Sequence, residues 1–187
     1  KSKAPSPQVR ANWQSSRLNI SKSIEELRSS LNGKWRNQLK KAESHNMEII
    51  SGSSRELFNW LMDKYQDLQK EKSFKGPKVN LYKSIFSQDA ASFIIFQAIH
   101  DNKPIAGQML IKHGRTVTYL VGWSSKTGRK LYAHNYLLWN AIINIKNEKT
   151  YDFFDLGGID DKNTPGVARF KRGLNGDNFE LVGSWLS

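Results

Sequence analysis

Four short segments of this 187-residue chain gather the residue types that acid–base and phosphate chemistry require. In the first, Lys34, Arg36, Lys40 and Lys41 surround Asn37 at what reads as a helix start. A helix N-terminus offers free N–H groups and the positive end of its dipole, so cations there make a phosphate site. The same cations also suit a solvated face. Trp35 can stack on a base or anchor the helix, and its spacing to Leu39 and Ala42 favours the anchor. The second segment, residues 122–130, leads from a strand into a helix. Its two glycines, small hydroxyls and cations, Arg129 among them, can cradle an anion or simply connect.

The third segment is Tyr132-Ala133-His134-Asn135-Tyr136. A neutral His134 can take a proton from an amine nucleophile; the alternative is a polar pair with Asn135, satisfied inside the core. The fourth opens with Asp155-Leu156-Gly157-Gly158, where a glycine pair lets a strand end turn sharply or approach a ligand. It continues to Arg169-Phe170-Lys171-Arg172-Gly173 on a short helix. Arg169 and Arg172 nearly share a face there, whereas Lys171 points toward the sheet. A lysine aimed inward needs an anionic partner. Asp155 would make a structural ion pair; a substrate carbonyl would make Lys171 the group that meets a developing oxyanion. Asp155 and His134 both remain candidates for the proton acceptor.

The elements that must position these residues follow from periodicity. Residues 1–12 read as an extended arm, because Pro5 and Pro7 resist helix, and residues 13–187 as one domain. Helices are expected over 21–31, 34–46 and 54–70. Strands over 92–100, 105–112 and 116–122 form an antiparallel meander. A helix over 129–147, with Leu131, Leu138, Ile142 and Ile145 as its stripe, a strand over 151–156, a helix over 164–173 and a strand over 179–186 complete the chain. The fold class is α/β (α+β): a mixed, mainly antiparallel sheet with helices on both faces.

Composition narrows the function. The chain has no cysteine, which excludes disulfides, thiolate nucleophiles and cysteine-bearing zinc sites. His45, His100 and His113 show no metal-ligand spacing, so no metal is expected. A net charge of +12 suits nucleic acid, phosphorylated ligands or an anionic membrane. No apolar run approaches the ~20 residues that a membrane-crossing helix needs. The expected location is cytoplasmic, with room for peripheral attachment at the inner face of the membrane.

Taken together, residues 155–159, Gly166 and residues 169–174 resemble the closing motif of the Fem family, the peptidoglycan interpeptide-bridge aminoacyltransferases. Residues 34–43 are similar to that family's basic helix, and residues 128–139 also resemble it. The resemblance implies a GNAT-like fold and transfer of an amino acid from aminoacyl-tRNA to the amine of a lipid-linked or nucleotide-linked muropeptide. It implies that Lys171 stabilises charge at the reaction centre. The substrate-binding set is then Lys34, Arg36, Asn37, Lys40, Arg129, Asn135, Gly157, Gly158, Arg169 and Arg172. The family's members carry two GNAT-like domains, so this chain is expected to be the C-terminal half of a longer protein or a single-domain relative. No cofactor is expected, although a coenzyme A thioester can serve as donor substrate in the alternative of an acyl-CoA-dependent N-acyltransferase. A further alternative is a non-catalytic basic module that binds tRNA or anionic glycolipid.

Overall fold

The computed structural model describes residues 8–10, 13–73, 76–182 and 184–185. Two short strands, β1 (Gln8–Arg10) and β2 (Gln14–Asn19), precede helices α1 (Ile24–Ser30) and α2 (Gly33–Glu43). An edge strand, β3 (Glu48–Gly52), leads into a helical hairpin, α3 (Arg55–Lys72) and α4 (Val79–Gln88). The expected meander follows as β4 (Phe93–His100), β5 (Lys103–His113) and β6 (Thr116–Ser124). Then come α5 (Lys126–Lys130), α6 (Ala133–Asn147), β7 (Phe153–Asp155), α7 (Pro165–Arg172), β8 (Asp177–Glu180) and β9 (Ser184–Trp185).

Local chemistry sets most boundaries. Ser23 and Glu26 form a capping box at α1, and Asn32 and Ser54 accept backbone N–H groups at the starts of α2 and α3. Asp101 and Asn102 both take positive φ (51° and 58°), as a two-residue turn between twisted strands requires.

The seven-stranded sheet has the order β3-β4-β5-β6-β7-β2-β8. Its neighbours are antiparallel except β6 and β7, which run parallel. Alternation along β4 divides the core. Phe96 and Ala98 face α1, α2 and α6, with Trp35, Leu39, Leu138 and Ile142. Phe93 and Ile95 face α3 and α4, with Phe58, Leu61, Tyr82 and Phe86. Helices therefore cover both faces of a mainly antiparallel mixed sheet.

Several elements differ from the sequence expectation. β2, β3 and α4 were not foreseen: β2 and β3 are short with no regular alternation, and α4 follows the Gly76-Pro77 break. The helix expected over 129–147 is two helices, because Tyr132 takes a left-handed conformation (φ 53°) between α5 and α6, and Leu131 falls in the joint. The closing strand begins at Asp177 and stops at Glu180; a second piece, Ser184–Trp185, pairs instead with Gln8–Arg10 of the expected arm. The rest of that arm, residues 1–7 and 11–12, lies outside the described residues.

One irregularity matters for function. β6 pairs with β7 only over Thr116–Thr118, and then runs on to Ser124 without β7 beside it. Leu120 is an extra residue in the ladder to β5, between the pairs Leu110–Tyr119 and Met109–Val121. Such a bulge bends a strand. Past Asp155 the chain turns away through Gly157 (φ 67°). The sheet parts at this point.

Candidate active site

A cleft of about 920 Å³ opens where β6 and β7 part. Its walls come from the N-terminal ends of α2 and α6 and the length of α7, together with the end of β6, α5 and Leu68 of α3. Lys34, Arg129, His134, Asn135, Arg169 and Arg172 all line it, so three parts of the chain distant in sequence supply one site. The basic helix reaches it through α7: Asn32 N–H donates to the Gly173 carbonyl at 2.9 Å, and the buried Trp35 packs on Phe170 and on bare Gly173.

The structure also separates some expected binding residues from the cleft. Arg36, Asn37 and Lys40 are exposed on the other side of α2 and do not line it; Arg36 donates to the Ser29 carbonyl at 3.0 Å. The helix turns by about 100° per residue, and with Trp35 and Leu39 buried only the Lys34–Gln38 edge faces inward.

At the parting point Tyr119 Oη and His134 Nε2 lie 2.7 Å apart. A Cβ on Gly122 would come within 1.8 Å of the Tyr119 hydroxyl, so the pair exists only because that position is glycine. Burial pushes His134 down to about 4, helped by neighbouring Lys171 and opposed by the backbone of Trp123. His134 is therefore neutral at pH 7. Burial also raises Tyr119 above its ordinary value, which keeps the phenol protonated.

Lys171 points into the protein, 6% exposed, as its helical position requires. Its Nζ donates to the Gly158 carbonyl at 2.7 Å and stands 5.1 Å from the centre of the Tyr119 ring. Burial lowers it to about 8, with the Asp155 charge pulling the other way. Asp155 makes no direct ion pair with it. Asp155 Oδ1 instead accepts from Ser15 Oγ and, at 2.8 Å, from Gly157 N–H. Gly157 has to be glycine twice over: φ is positive, and a Cβ would sit 2.3 Å from the Tyr119 carbonyl. Gly158, Asp155 and Lys171 thus form the wall behind the cleft rather than its lining.

Cations and hydrogen-bonding groups stand among apolar residues in the lining of the cleft. Lys34 and Arg169 are exposed at the cleft, and Arg129 donates to the Ser124 carbonyl at 2.7 Å. Arg172 is occupied by Asp161, at 2.7 Å. Trp35 Nε1, Ser124 Oγ and Asn135 Nδ2 are buried atoms of cleft-lining residues that have no hydrogen-bond partner. Buried polar atoms of that kind are satisfied by a bound water or by a ligand. Among the described residues no group of three or more His, Cys, Asp or Glu could hold a metal ion, and no helix is long and apolar enough to cross a membrane.

Tyr119 and Ser15 were absent from the site read in the sequence, and Gly122 entered it only as the first residue of a segment that can cradle an anion. Tyr119 and Gly122 sit in a strand whose alternation reads as core, and Ser15 in a strand that was not foreseen. The Gly122 break in an otherwise apolar run was the one available signal.

A sheet that parts beside a bulged strand, with a cation-lined cleft at the parting, defines a GNAT-like fold. Within it the chain belongs to the FemAB family, whose model matches residues 87–186. The chain is similar to the crystal structure of FemX, at 14% identity and a TM-score of 0.76 over 91% of this chain and 60% of that one. It is similar to L-PGS from Bacillus licheniformis, at 14% identity and a TM-score of 0.60 over 91% of this chain and 59% of that one. An aminoglycoside acetyltransferase from an uncultured soil metagenomic sample, solved with sisomicin, aligns at 16% identity and a TM-score of 0.53, covering 75% of this chain and 95% of that one. At such identities the likeness is one of fold. The chain spans about 60% of the length of FemX. No curated protein matches the sequence.

Proposed function

We propose that this chain is an N-acyltransferase domain that moves an aminoacyl group from the ester of an aminoacyl-tRNA to a primary amine of a peptidoglycan precursor. The observation that supports it most is the pairing of Tyr119 with His134 at the parting of β6 and β7, with Lys171 in the wall behind them, in a cleft that also carries Lys34, Arg129 and Arg169. The cations hold the phosphates of the donor. The amine lone pair attacks the ester carbonyl and forms the C–N bond; the C–O bond breaks, and the released hydroxyl takes the proton lost by nitrogen. The Tyr119 hydroxyl, backed by neutral His134, relays that proton, and the charge of Lys171, standing behind the Tyr119 ring, favours the negative carbonyl oxygen from the wall of the cleft. Holding the two substrates together removes much of the entropic barrier. A lipid-linked acceptor would place the reaction at the inner face of the cytoplasmic membrane.

The test is transfer of a labelled amino acid from aminoacyl-tRNA to a nucleotide-linked muropeptide by the purified chain. Product is expected, with Lys171→Met nearly inactive and still folded. Product from acetyl-CoA and none from aminoacyl-tRNA would make the donor a coenzyme A thioester. Binding of either donor without product would leave a non-catalytic module.

A further inference from the structure

We propose that Trp123 is a stacking platform for a nucleobase, so that the cleft recognises its ligand as a nucleotide, by base and phosphate together. Trp123 lies at the end of the cleft that Leu68 of α3 and Arg129 of α5 also line. Its indole packs against side chains of α3. Trp60 meets it edge-on, ring centres 5.7 Å apart and planes at 88°. Trp60 occupies the space over Gly107, where a Cβ would come within 2.6 Å of its ring. Lys64 Nζ stands 5.4 Å from the Trp123 ring centre. The ring is partly exposed and already ordered, so little side-chain entropy is lost when a ligand lands on it.

The charges around it complete the argument. Arg129 is tethered to the Ser124 carbonyl, one residue beyond Trp123. Lys126 and Arg129 both stand exposed on α5. An ordered aromatic ring interleaved with cations is the arrangement that takes a base on the ring and its phosphate on the cation. A bare phosphate would use the cations and leave the ring idle; an alkyl chain would use the ring and leave the cations desolvated. A nucleotide uses both. This inference rests on the transferase reading only in taking the cleft as the donor's place. An RNA 3′ end and coenzyme A share the adenine nucleotide chemistry.

Calorimetry on the whole chain tests it with three probes at fixed salt: a CCA trinucleotide, coenzyme A and inorganic pyrophosphate. One of the two nucleotides is expected to bind more tightly than pyrophosphate, and which one identifies the source. Trp123→Leu, which keeps an apolar filler, should weaken that nucleotide by about five- to a hundredfold, the range of one base–aromatic stack. Trp123→Phe should recover most of the loss, and pyrophosphate affinity should change less than twofold in either variant. Independently of any substitution, the Trp123 indole N–H resonance should shift with the nucleotide and stay in place with pyrophosphate. Equal nucleotide affinity in Trp123→Leu, a stationary indole resonance, or nucleotides binding no more tightly than pyrophosphate overturns the proposal. Aminoacyl transfer combined with Trp123-independent binding would overturn this inference alone. Trp123-dependent binding without transfer would overturn catalysis alone.

Discussion

Lys171 Nζ donates to the carbonyl of Gly158 at 2.7 Å, so the lysine of α7 is anchored on the backbone that turns the chain away from β6. Its ammonium is directed by that bond and, among the described residues, has no carboxylate in direct contact. Lys171→Met keeps the stem and deletes the charge. Aminoacyl transfer per folded molecule should fall by roughly 10²–10³, as for loss of one oxyanion donor. The melting temperature should hold or rise, because a costly buried charge is gone. Transfer rates and thermal melts of the purified variant measure both; an unchanged rate would make Lys171 a structural residue.

The same lysine predicts a pH dependence. Its folded value of about 8 lies below the ordinary 10.5. Between those values the unfolded chain binds more protons than the folded one, so stability should rise as pH goes from 8 to 10.5. Lys171→Met should flatten that rise in denaturant titrations. His134 acts at the acid end. Its folded value of about 4 is below the ordinary 6.5, so stability should drop as pH falls from 6.5 to 4. In NMR titrations the His134 ring should stay neutral at pH 6, where an exposed histidine is mostly charged.

Gly122→Ala should break the Tyr119–His134 pair, since its Cβ would lie 1.8 Å from the Tyr119 hydroxyl and 2.7 Å from the His134 ring. Activity should fall to about the level of Tyr119→Phe. Gly166→Ala is the control. Its Cβ meets nothing within 4 Å, and it lies in α7, so it should stabilise by about 0.5–1 kcal/mol through helix propensity. Melts and transfer assays of the two variants decide whether the glycine matters for space or for backbone freedom.

The two sides of α2 should behave differently toward a phosphorylated ligand. Lys34→Ala and Arg169→Ala should each lower the log–log salt slope of RNA binding by about 0.7–0.9. Arg36→Ala and Lys40→Ala, on the far side, should leave it unchanged. Trp35→Ala should cost about 3–5 kcal/mol of stability, because the indole is only 3% exposed and clamps α2 to α7.

What the sequence determined by itself is the local part. The meander, the α2 stripe and the inward direction of Lys171 all depend on periods of two or 3.6 residues, and such periods survive without tertiary information. The basic segments and the Gly157-Gly158 turn were legible for the same reason: residue type and short spacing carry them. Tertiary structure decided the rest. β2 and β3 gain their partners from strands far along the chain, so nothing local marks them. Which cations of α2 border the cleft was decided by the packing of Trp35 on α7. The pairing of Tyr119 with His134 needed a bulge at Leu120 and a missing Cβ at Gly122, two features that act only once β6 is laid against β5 and α6. Asp155 lost its place as the direct partner of Lys171 because Ser15 and the Gly157 N–H had already claimed it, a competition among groups that only the folded chain brings together.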